Sequence, residues 1–367
     1  MTGAPYSLIL LPTLECDAAC DYCFEHKSRA HLSHDQLALI ITKIFDFMDQ
    51  ERRDLLRIYW QGGEVMTLAP EWLERASEII NDLVVTRNKP VINYLQSNLL
   101  AYDSTWNKLI REMFDNSVGT SFDFPNLHRK LKGGDAAAYT TIWRQKVRLS
   151  QEAGIHLGVI AIPNAETLRL GARCFYSYFV DELGLADLQI NTPFPGGHRN
   201  DVKRSYPLPT EPLSRFYREL VEVWAERAPH DGVRIHPLDQ LSEYFTHGAA
   251  ELPCTWGRNC TEDFICVDPR GYVAQCDCWV TSYPDYRFGN LLGPDSLADL
   301  LQSSPARRAL HSRPSRLIRH EDCINCPYLA LCHGGCPIRA YTVHGDLDVR
   351  DPYCEAYKVL FKAVQEV

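Results

Sequence analysis

The residues of this chain that can bind metal are concentrated in two places. The 367 residues include 14 cysteines, and three of them, Cys16, Cys20 and Cys23, lie close together near the start. Ten more fall between Cys254 and Cys354. Short intervals between cysteines are typical of metal or iron–sulfur ligands. The sequence therefore predicts metal or iron–sulfur chemistry in a reducing compartment, the cytoplasm, rather than a secreted disulfide scaffold.

The first group has the spacing Cys16-x3-Cys20-x2-Cys23. A [4Fe–4S] cluster normally takes four cysteine ligands, so three thiolates leave one iron open to a substrate or cofactor. A zinc site formed by the three cysteines and His26 is an alternative, because mixed cysteine and histidine sites are common for zinc. On spacing alone both interpretations stay open.

The second group holds ten cysteines, most of them a few residues apart. They are Cys254, Cys260, Cys266, Cys276, Cys278, Cys323, Cys326, Cys332, Cys336 and Cys354. Eight of these thiolates would be enough for two fully ligated [4Fe–4S] clusters. Zinc ribbons are the alternative, but they favour two Cys-x2-Cys pairs, and only Cys323 and Cys326 form one. Outside both groups, Cys174 is expected to be an ordinary buried thiol, and within the second group Cys266 and Cys278 are either buried thiols or substitutes within the ligand set.

The first half of the chain alternates apolar runs with amphipathic stretches, which predicts parallel βα units. The predicted strands are Ser7–Leu11, Leu56–Trp60, Val91–Leu95, Val118–Phe122, His156–Ile162 and Leu188–Asn191. The predicted helices are Ser33–Gln50, Glu71–Leu83, Ser104–Asp115, Asp135–Ala153 and Thr167–Leu183. A capping box at Ser33 opens the first helix. Six units are too few for a complete eight-stranded barrel, so the fold class is α/β, with a partial, open (βα)6 barrel.

The barrel pattern stops near Pro193-Phe194-Pro195-Gly196-Gly197, and a helix over Pro212–Arg227 follows. We therefore expect a barrel over residues 1–211, a helical bridge over 212–253 and a cysteine-rich domain over 254–367. The Cys16 loop follows the first strand, where parallel α/β folds place their active sites.

Composition narrows the function classes. The formal net charge is −9, which disfavours a nucleic-acid binder. No apolar run reaches the roughly 20 residues needed to span a membrane, and the first residues have no basic region typical of a signal peptide. We expect an enzyme with no nucleic-acid or membrane partner.

The Cys-x3-Cys-x2-Cys motif with Tyr22 resembles the radical S-adenosylmethionine (SAM) enzymes. Three further motifs follow successive predicted strands and resemble motifs of that family: Trp60-Gln61-Gly62-Gly63-Glu64, Gln96-Ser97-Asn98 and Ser121-Phe122-Asp123. The resemblance implies a SAM cluster on Cys16, Cys20 and Cys23. It implies SAM contacts from Tyr22, Gln61, Gly62, Gly63, Glu64, Ser97, Asn98, Ser121 and Arg144. Val65 and Phe124-Pro125 depart from the residues that sulfatase maturases usually carry there.

The pattern from Cys260 through Gly271 to Cys354 is similar to the SPASM domain, which binds auxiliary clusters in enzymes that mature peptides and proteins. Resemblance to anaerobic sulfatase maturases implies one auxiliary cluster on Cys254, Cys260, Cys276 and Cys336. It implies the other on Cys323, Cys326, Cys332 and Cys354. In that family the counterpart of Asp277 takes a proton from the substrate.

The resemblance implies three [4Fe–4S] clusters, SAM, and reduction by a ferredoxin or flavodoxin. A 5′-deoxyadenosyl radical would abstract hydrogen from a side chain of a ribosomally made peptide, giving an oxidised or cross-linked residue (a carbon–carbon or thioether bond). The first alternative is an anaerobic sulfatase maturase that forms formylglycine from Cys or Ser. The second is an iron–sulfur electron-transfer protein without SAM chemistry. Cys16 comes too early for a preceding leader-binding domain, so leader recognition is expected from a separate protein or from the barrel.

Overall fold

One continuous sheet runs through the molecule. The computed structural model describes residues 5–194 and 207–367. Its strands are β1 (Tyr6–Leu10), β2 (Leu56–Trp60), β3 (Val91–Ser97), β4 (Ser117–Ser121), β5 (His156–Ala161), β6 (Asp187–Ile190), β7 (Arg234–His236), β8 (Phe264–Val267), β9 (Tyr272–Ala274) and β10 (Gly289–Asn290). Their order across the sheet is β10-β9-β8-β1-β2-β3-β4-β5-β6-β7.

Helices follow most of the strands. In the barrel they are α1 (His34–Gln50), α2 (Pro70–Arg87), α3 (Asn107–Met113), α4 (Ala136–Glu152), α5 (Ala165–Leu170) and α6 (Ala172–Ser177). Beyond it they are α7 (Thr210–Asp231), α8 (Leu238–His247), α9 (Asp277–Ser282), α10 (Leu297–Ser303), α11 (Pro305–Leu317), α12 (Glu321–Ile324), α13 (Leu329–Cys332), α14 (Pro337–His344) and α15 (Cys354–Gln365). The α/β class predicted from the sequence is confirmed.

Burial explains why these segments form. In β1 and β2 every second side chain is buried, so each strand packs one face against the helices. The apolar face of α1 recurs at helical spacing, with Leu37, Ile41 and Phe45 among its buried residues. The predicted capping box is present: the Ser33 side chain accepts a bond from the Gln36 amide, and the Gln36 side chain accepts one from the Ser33 amide.

Two features of the sheet differ from the sequence expectations. The segment 212–253 was expected to be helical, yet it contains β7, which pairs in parallel with β6. Only three residues, Arg234, Ile235 and His236, form this strand, which is too short for a recognisable alternation of polar and apolar residues. On the other side, β8 pairs in parallel with β1, so the sheet continues past residue 254. The division of the chain at residues 211 and 253 stays a prediction.

The predicted helix Thr167–Leu183 is also interrupted. It consists of α5, α6 and a wide turn at Tyr178–Glu182, with Gly171 at a φ of 87° between the two helices. Glycine adopts that backbone conformation without the steric cost that other residues meet. The expected break at Pro195-Gly196-Gly197 lies outside the described residues.

Candidate active site

The Gly62-Gly63-Glu64 segment after β2 is bonded to the start of the cysteine loop. The Gly63 amide donates to the Thr13 carbonyl (3.0 Å) and the Glu64 amide to the Glu15 carbonyl (2.7 Å). A Cβ atom at Gly63 would lie 2.1 Å from the Glu15 carbonyl oxygen, and one at Gly62 would lie 2.5 Å from that of Thr13. The two glycines are therefore required for the close approach of these chain segments.

The three cysteines after Glu15 gather around Lys27. Cys16 is buried, and Cys20 and Cys23 are partly buried. The Lys27 ammonium donates to the Ala18 carbonyl (2.5 Å) within the same loop. Burial disfavours its charge, but the neighbouring Cys23, Cys16 and Cys20 sulfurs outweigh that effect and raise the pKa of Lys27. The loop thus brings three thiols and one cation together at the mouth of the barrel.

Glu64 holds the end of β3 in place. Its carboxylate accepts bonds from the Ser97 hydroxyl (2.7 Å), the Asn98 amide (2.6 Å) and the Met66 amide (2.9 Å). Burial raises the pKa of Glu64 to about 7, although the bonds from Asn98 and Ser97 favour the ionised form. With both carboxylate oxygens engaged, Glu64 acts by orienting Ser97 and Asn98.

Two more bonds tie the strand ends together. The Asn98 side chain donates to Asp17 in the cysteine loop (2.7 Å). The Gln96 side chain donates to the Ser121 hydroxyl at the end of β4 (2.8 Å). The residues predicted to contact SAM after β2, β3 and β4 therefore belong to one hydrogen-bonded rim that includes the cysteine loop.

A buried group around Asp123 fixes Tyr22. The Tyr22 hydroxyl donates to Asp123, and Arg129 donates to both oxygens of the same carboxylate (3.1 and 3.3 Å). The Arg129 guanidinium also lies 5.6 Å from the centroid of the Tyr22 ring. Arg129 is not among the site residues predicted from the sequence. One signal in the sequence could have indicated it: a basic run, His128-Arg129-Lys130, follows Asp123 shortly after the end of β4.

Arg144 contacts residues outside this hydrogen-bonded rim. Its guanidinium is 3.7 Å from the Glu182 carboxylate and 5.6 Å from the centroid of the Tyr178 ring. Neither partner belongs to the residues predicted to bind SAM. Its assignment to the SAM carboxylate stays a prediction.

Asp277 lies where the barrel meets the cysteine-rich region. It begins α9, directly after Cys276, and its carboxylate accepts a bond from the Gln61 side chain (2.8 Å) and one from the Cys278 amide (2.9 Å). Burial is the largest influence on Asp277 and raises the pKa of its carboxyl group. A carboxyl group beside the Gly62-Gly63 motif is well placed to exchange a proton with a molecule bound there.

Four cysteines of the second region share one neighbourhood. Although Cys254 is exposed as a residue, loss of water around its sulfur raises the pKa of the thiol to about 12, and the charges of Cys336 and Cys276 add to the effect. The pKa of Cys260 is raised by burial and then by Cys276, Cys336 and Cys254. These thiols are the ones assigned to one auxiliary cluster.

The other four cysteines are linked in the same way. Burial raises the pKa of Cys332 to about 12, with contributions from Asp351, Cys354 and Cys323. Burial also raises the pKa of Cys323, and the charge of Cys326 adds most to that effect. The two groups meet at Cys332-His333-Gly334-Gly335-Cys336, where the chain passes from one to the other.

Three cysteines remain. Cys266 is fully buried in β8, as one of its two predicted alternatives required. Cys174 was predicted to be buried, and this was wrong: it is exposed, because α6 turns Ala172, Phe175 and Tyr176 toward the core. The Cys278 sulfur lies within 4.8 Å of the ligand atoms of Cys276 and Asp277.

All fourteen cysteines are free, so the donor set at both places is thiol sulfur. Thiolates are the usual ligands of iron–sulfur clusters. In the first group, His26 is exposed and lines a cavity of about 230 Å³ together with Lys27, Asp268 and Arg270. The residues present fit iron–sulfur clusters, with three sulfurs in the first place and two sets of four in the second.

Comparisons with known proteins agree with this donor set. Residues 254–327 match the SPASM iron–sulfur cluster-binding domain. Across 98% of this chain and 96% of the other, the sequence is 25% identical to a cysteine-type anaerobic sulfatase-maturating enzyme of Clostridium perfringens. Together with the motif of Cys16, Cys20 and Cys23, these matches show that the chain resembles radical SAM enzymes with a SPASM domain.

Two further comparisons cover nearly the whole of this chain. It is 23% identical to the PqqA peptide cyclase of Granulibacter bethesdensis, over 98% of this chain and 90% of that one. Its fold matches the structure of native anSMEcpe with bound AdoMet and the Cp18Cys peptide at a TM-score of 0.81, with 24% identity over 98% of this chain and 96% of that one.

The expected radical SAM and SPASM resemblance is thereby confirmed, and so is an enzyme that modifies peptides or proteins. These named relatives are enzymes, which weighs against the alternative of a simple electron-transfer protein. The iron–sulfur domain weighs against zinc ribbons in the second region. Among the described residues, no helix combines the length and the apolar content needed to cross a membrane.

Proposed function

We propose that this radical SAM enzyme oxidises a Cys or Ser side chain of a sulfatase to formylglycine. The observation that carries the proposal is the Asp277 carboxylate, which is bonded to Gln61 next to the Gly62-Gly63 turn and follows Cys276 directly. Similarity to the sulfatase-maturating enzyme over 98% of this chain supports this substrate more than the peptide cross-linking expected at first.

The residues at the barrel mouth would hold the SAM cluster and SAM. Cys16, Cys20 and Cys23 are the proposed ligands of the cluster. Tyr22, Gln61, the Gly62-Gly63 main chain, Ser97, Asn98, Ser121 and Arg144 are the proposed SAM contacts, with Glu64 orienting Ser97 and Asn98. When bound and reduced, the cluster and SAM supply a 5′-deoxyadenosyl radical that removes a hydrogen atom from the substrate. A ferredoxin or flavodoxin is the proposed reductant.

Asp277 is the proposed general base. Conversion of a serine side chain to an aldehyde removes two hydrogens, one as a hydrogen atom and one as a proton, and leaves one electron. The same loss from a cysteine side chain gives a thioaldehyde, which water converts to the aldehyde with release of hydrogen sulfide. Asp277 would take the proton. The Gln61 side chain holds the Asp277 carboxylate in place by donating a hydrogen bond to its Oδ2 atom. A partly buried carboxyl group with a raised pKa suits this task, because that pKa lies closer to neutrality.

The remaining electron needs an acceptor near Asp277. Cys276 precedes Asp277 and belongs to the set Cys254, Cys260, Cys276 and Cys336, which we propose as the ligands of one auxiliary cluster. Cys323, Cys326, Cys332 and Cys354 are the proposed ligands of the other. The enzyme would thus hold three clusters.

Iron content tests this cluster count. An anaerobically reconstituted chain is expected to hold about twelve irons if it has three [4Fe–4S] clusters. Changing Cys336→Ala should remove about four of them, because that cluster loses a ligand. The exposed Cys174 provides the matched control, and C174A should keep the full amount. A wild-type content near four irons would contradict the auxiliary clusters.

The substrate is tested with peptides that carry a sulfatase active-site sequence with Cys or Ser at the reacting position. Anaerobic incubation with SAM and dithionite should give an aldehyde that a hydrazine reagent traps, detected by mass spectrometry. A product that loses two hydrogens without forming a trappable aldehyde would contradict formylglycine and indicate a cross-link. If neither peptide changes while 5′-deoxyadenosine accumulates, the sulfatase assignment fails.

Peptide cross-linking is the second candidate, and the similarity to a PqqA peptide cyclase favours it. The sequence departures at Val65 and Phe124 do not decide between the two. Val65 is fully buried, and the Phe124 ring stacks on Tyr178 with centroids 4.0 Å apart. Both side chains pack within the barrel, so they do not by themselves indicate a different substrate.

A further inference from the structure

Arg313 is a buried cation held by main-chain oxygens. It lies on α11, and its side chain is 3% exposed. Its guanidinium donates to four carbonyls, those of Leu347 (2.6 Å), Gly335 (2.9 Å), Gly334 (3.1 Å) and Val349 (3.0 Å). All four acceptors are neutral, and in the described part of the chain no carboxylate forms an ion pair with Arg313. The positive charge is therefore positioned by neutral groups and left without a bonded counterion.

The carbonyls that Arg313 binds include the crossing between the two cysteine sets. Gly334 and Gly335 separate Cys332 from Cys336, and we assign these cysteines to different auxiliary clusters. Gly335 has a φ of 73°, and a Cβ there would lie 2.3 Å from the Asp351 side chain. The turn is therefore closely packed, and the Arg313 guanidinium lies directly against it.

Negative charge near Arg313 comes from both sets. Burial lowers the pKa of Arg313, and the charges of Cys336, Asp351, Cys260 and Cys332 oppose that effect. Asp351 already has another cation, since its carboxylate lies 3.6 Å from Arg339 and also accepts the Cys336 amide. The thiolates of Cys336, Cys260 and Cys332 are the other anions that act on Arg313.

We propose that Arg313 is a shared countercharge that favours the reduced state of both auxiliary clusters. This inference rests on the proposed function, in which the oxidised substrate leaves one electron after its hydrogen atom and proton have departed. A cluster that accepts this electron gains one unit of negative charge. A buried cation beside its ligands stabilises that added charge, because net charge and local polarity set the potential of such clusters.

The test is a redox titration of the reconstituted holoenzyme, followed by electron paramagnetic resonance, for wild type and R313M. Reduction of both auxiliary clusters should become at least tenfold less favourable, a shift of about 59 mV to more negative potential for one electron. The SAM cluster should keep its potential. R316M is the matched control, since Arg316 lies on the same helix, is 38% exposed and pairs with Asp348, so its loss should leave all potentials unchanged.

R313K separates charge from hydrogen bonding. It keeps the positive charge but not the four-carbonyl clamp, and it should keep the auxiliary potentials closer to wild type than R313M does. If R313M loses auxiliary iron while R313K retains it, the charge is needed and the proposal is supported. Unchanged auxiliary potentials in R313M, or equal loss of iron in R313M and R313K, would overturn it in favour of a purely structural clamp. A wild-type enzyme without auxiliary iron would instead refute the proposed function.

Discussion

Replacing Asp277 by asparagine is expected to lower formation of the modified substrate by about 100- to 10,000-fold, the usual contribution of a general base. Asparagine has nearly the same shape and can still bond to Gln61, but it cannot accept the proton. Cleavage of SAM to 5′-deoxyadenosine should continue, because the SAM cluster residues are untouched. Both products are measured by liquid chromatography and mass spectrometry in the same anaerobic reaction.

D285N is the matched control for this change. Asp285 follows α9 on the same segment and is exposed, so its neutralisation should affect neither product. Equal substrate conversion by D277N and wild type would remove the proposed role of Asp277. A parallel loss of 5′-deoxyadenosine in D277N would point instead to a role in SAM binding through Gln61.

Changing Gly63→Ala is expected to have the second large effect, loss of the SAM cluster. The new methyl group would lie 2.1 Å from the Glu15 carbonyl oxygen and 2.6 Å from the Leu14 carbonyl carbon, and neither main-chain atom can swing aside. The cysteine loop must then move. Overpacking of this kind costs about 1–3 kcal/mol of stability. Iron content should fall by about four atoms per chain, and SAM cleavage should disappear.

G158A is the matched control for G63A, because it makes the same substitution at a position with more space. A Cβ at Gly158 in β5 would meet only the Asp187 side chain at 3.9 Å, an ordinary contact distance. G158A should therefore keep its iron, its SAM cleavage and its melting temperature within a few degrees. A G63A protein with full iron and normal SAM cleavage would contradict the close packing described for the Gly62-Gly63 turn.

Much of the barrel was predictable because its signals are local. Strands β1 to β6 each overlap a strand predicted from the sequence, and the capping box at Ser33 marks the start of α1 in four residues. The strand-end motifs could be aligned because parallel strands deliver their carboxyl ends to one edge. The spacing of the cysteines is likewise a local signal, and it predicted iron–sulfur binding.

The parts that escaped prediction depend on distant contacts. The strand β7 forms because β6 provides its partner, not because Arg234-Ile235-His236 has a strong strand pattern. Arg129 is positioned by its hydrogen bond to Asp123, which also binds the Tyr22 hydroxyl. Tyr22 is far from both residues in the sequence, so the sequence alone does not reveal this group. Cys174 was wrongly expected to be buried, since a short helix gives too few residues to tell its inner face from its outer face.

The pairing of β8 with β1 also bears on how the chain is made and folds. Residues Ser7–Leu10 are synthesised well before Phe264–Val267, so one edge of their strand has no partner until the later segment follows. An unpaired strand edge is a template for association with other chains. This edge stays open while β2 to β7 are already synthesised, so the enzyme depends on its later, cysteine-rich region to complete the sheet as well as to bind iron.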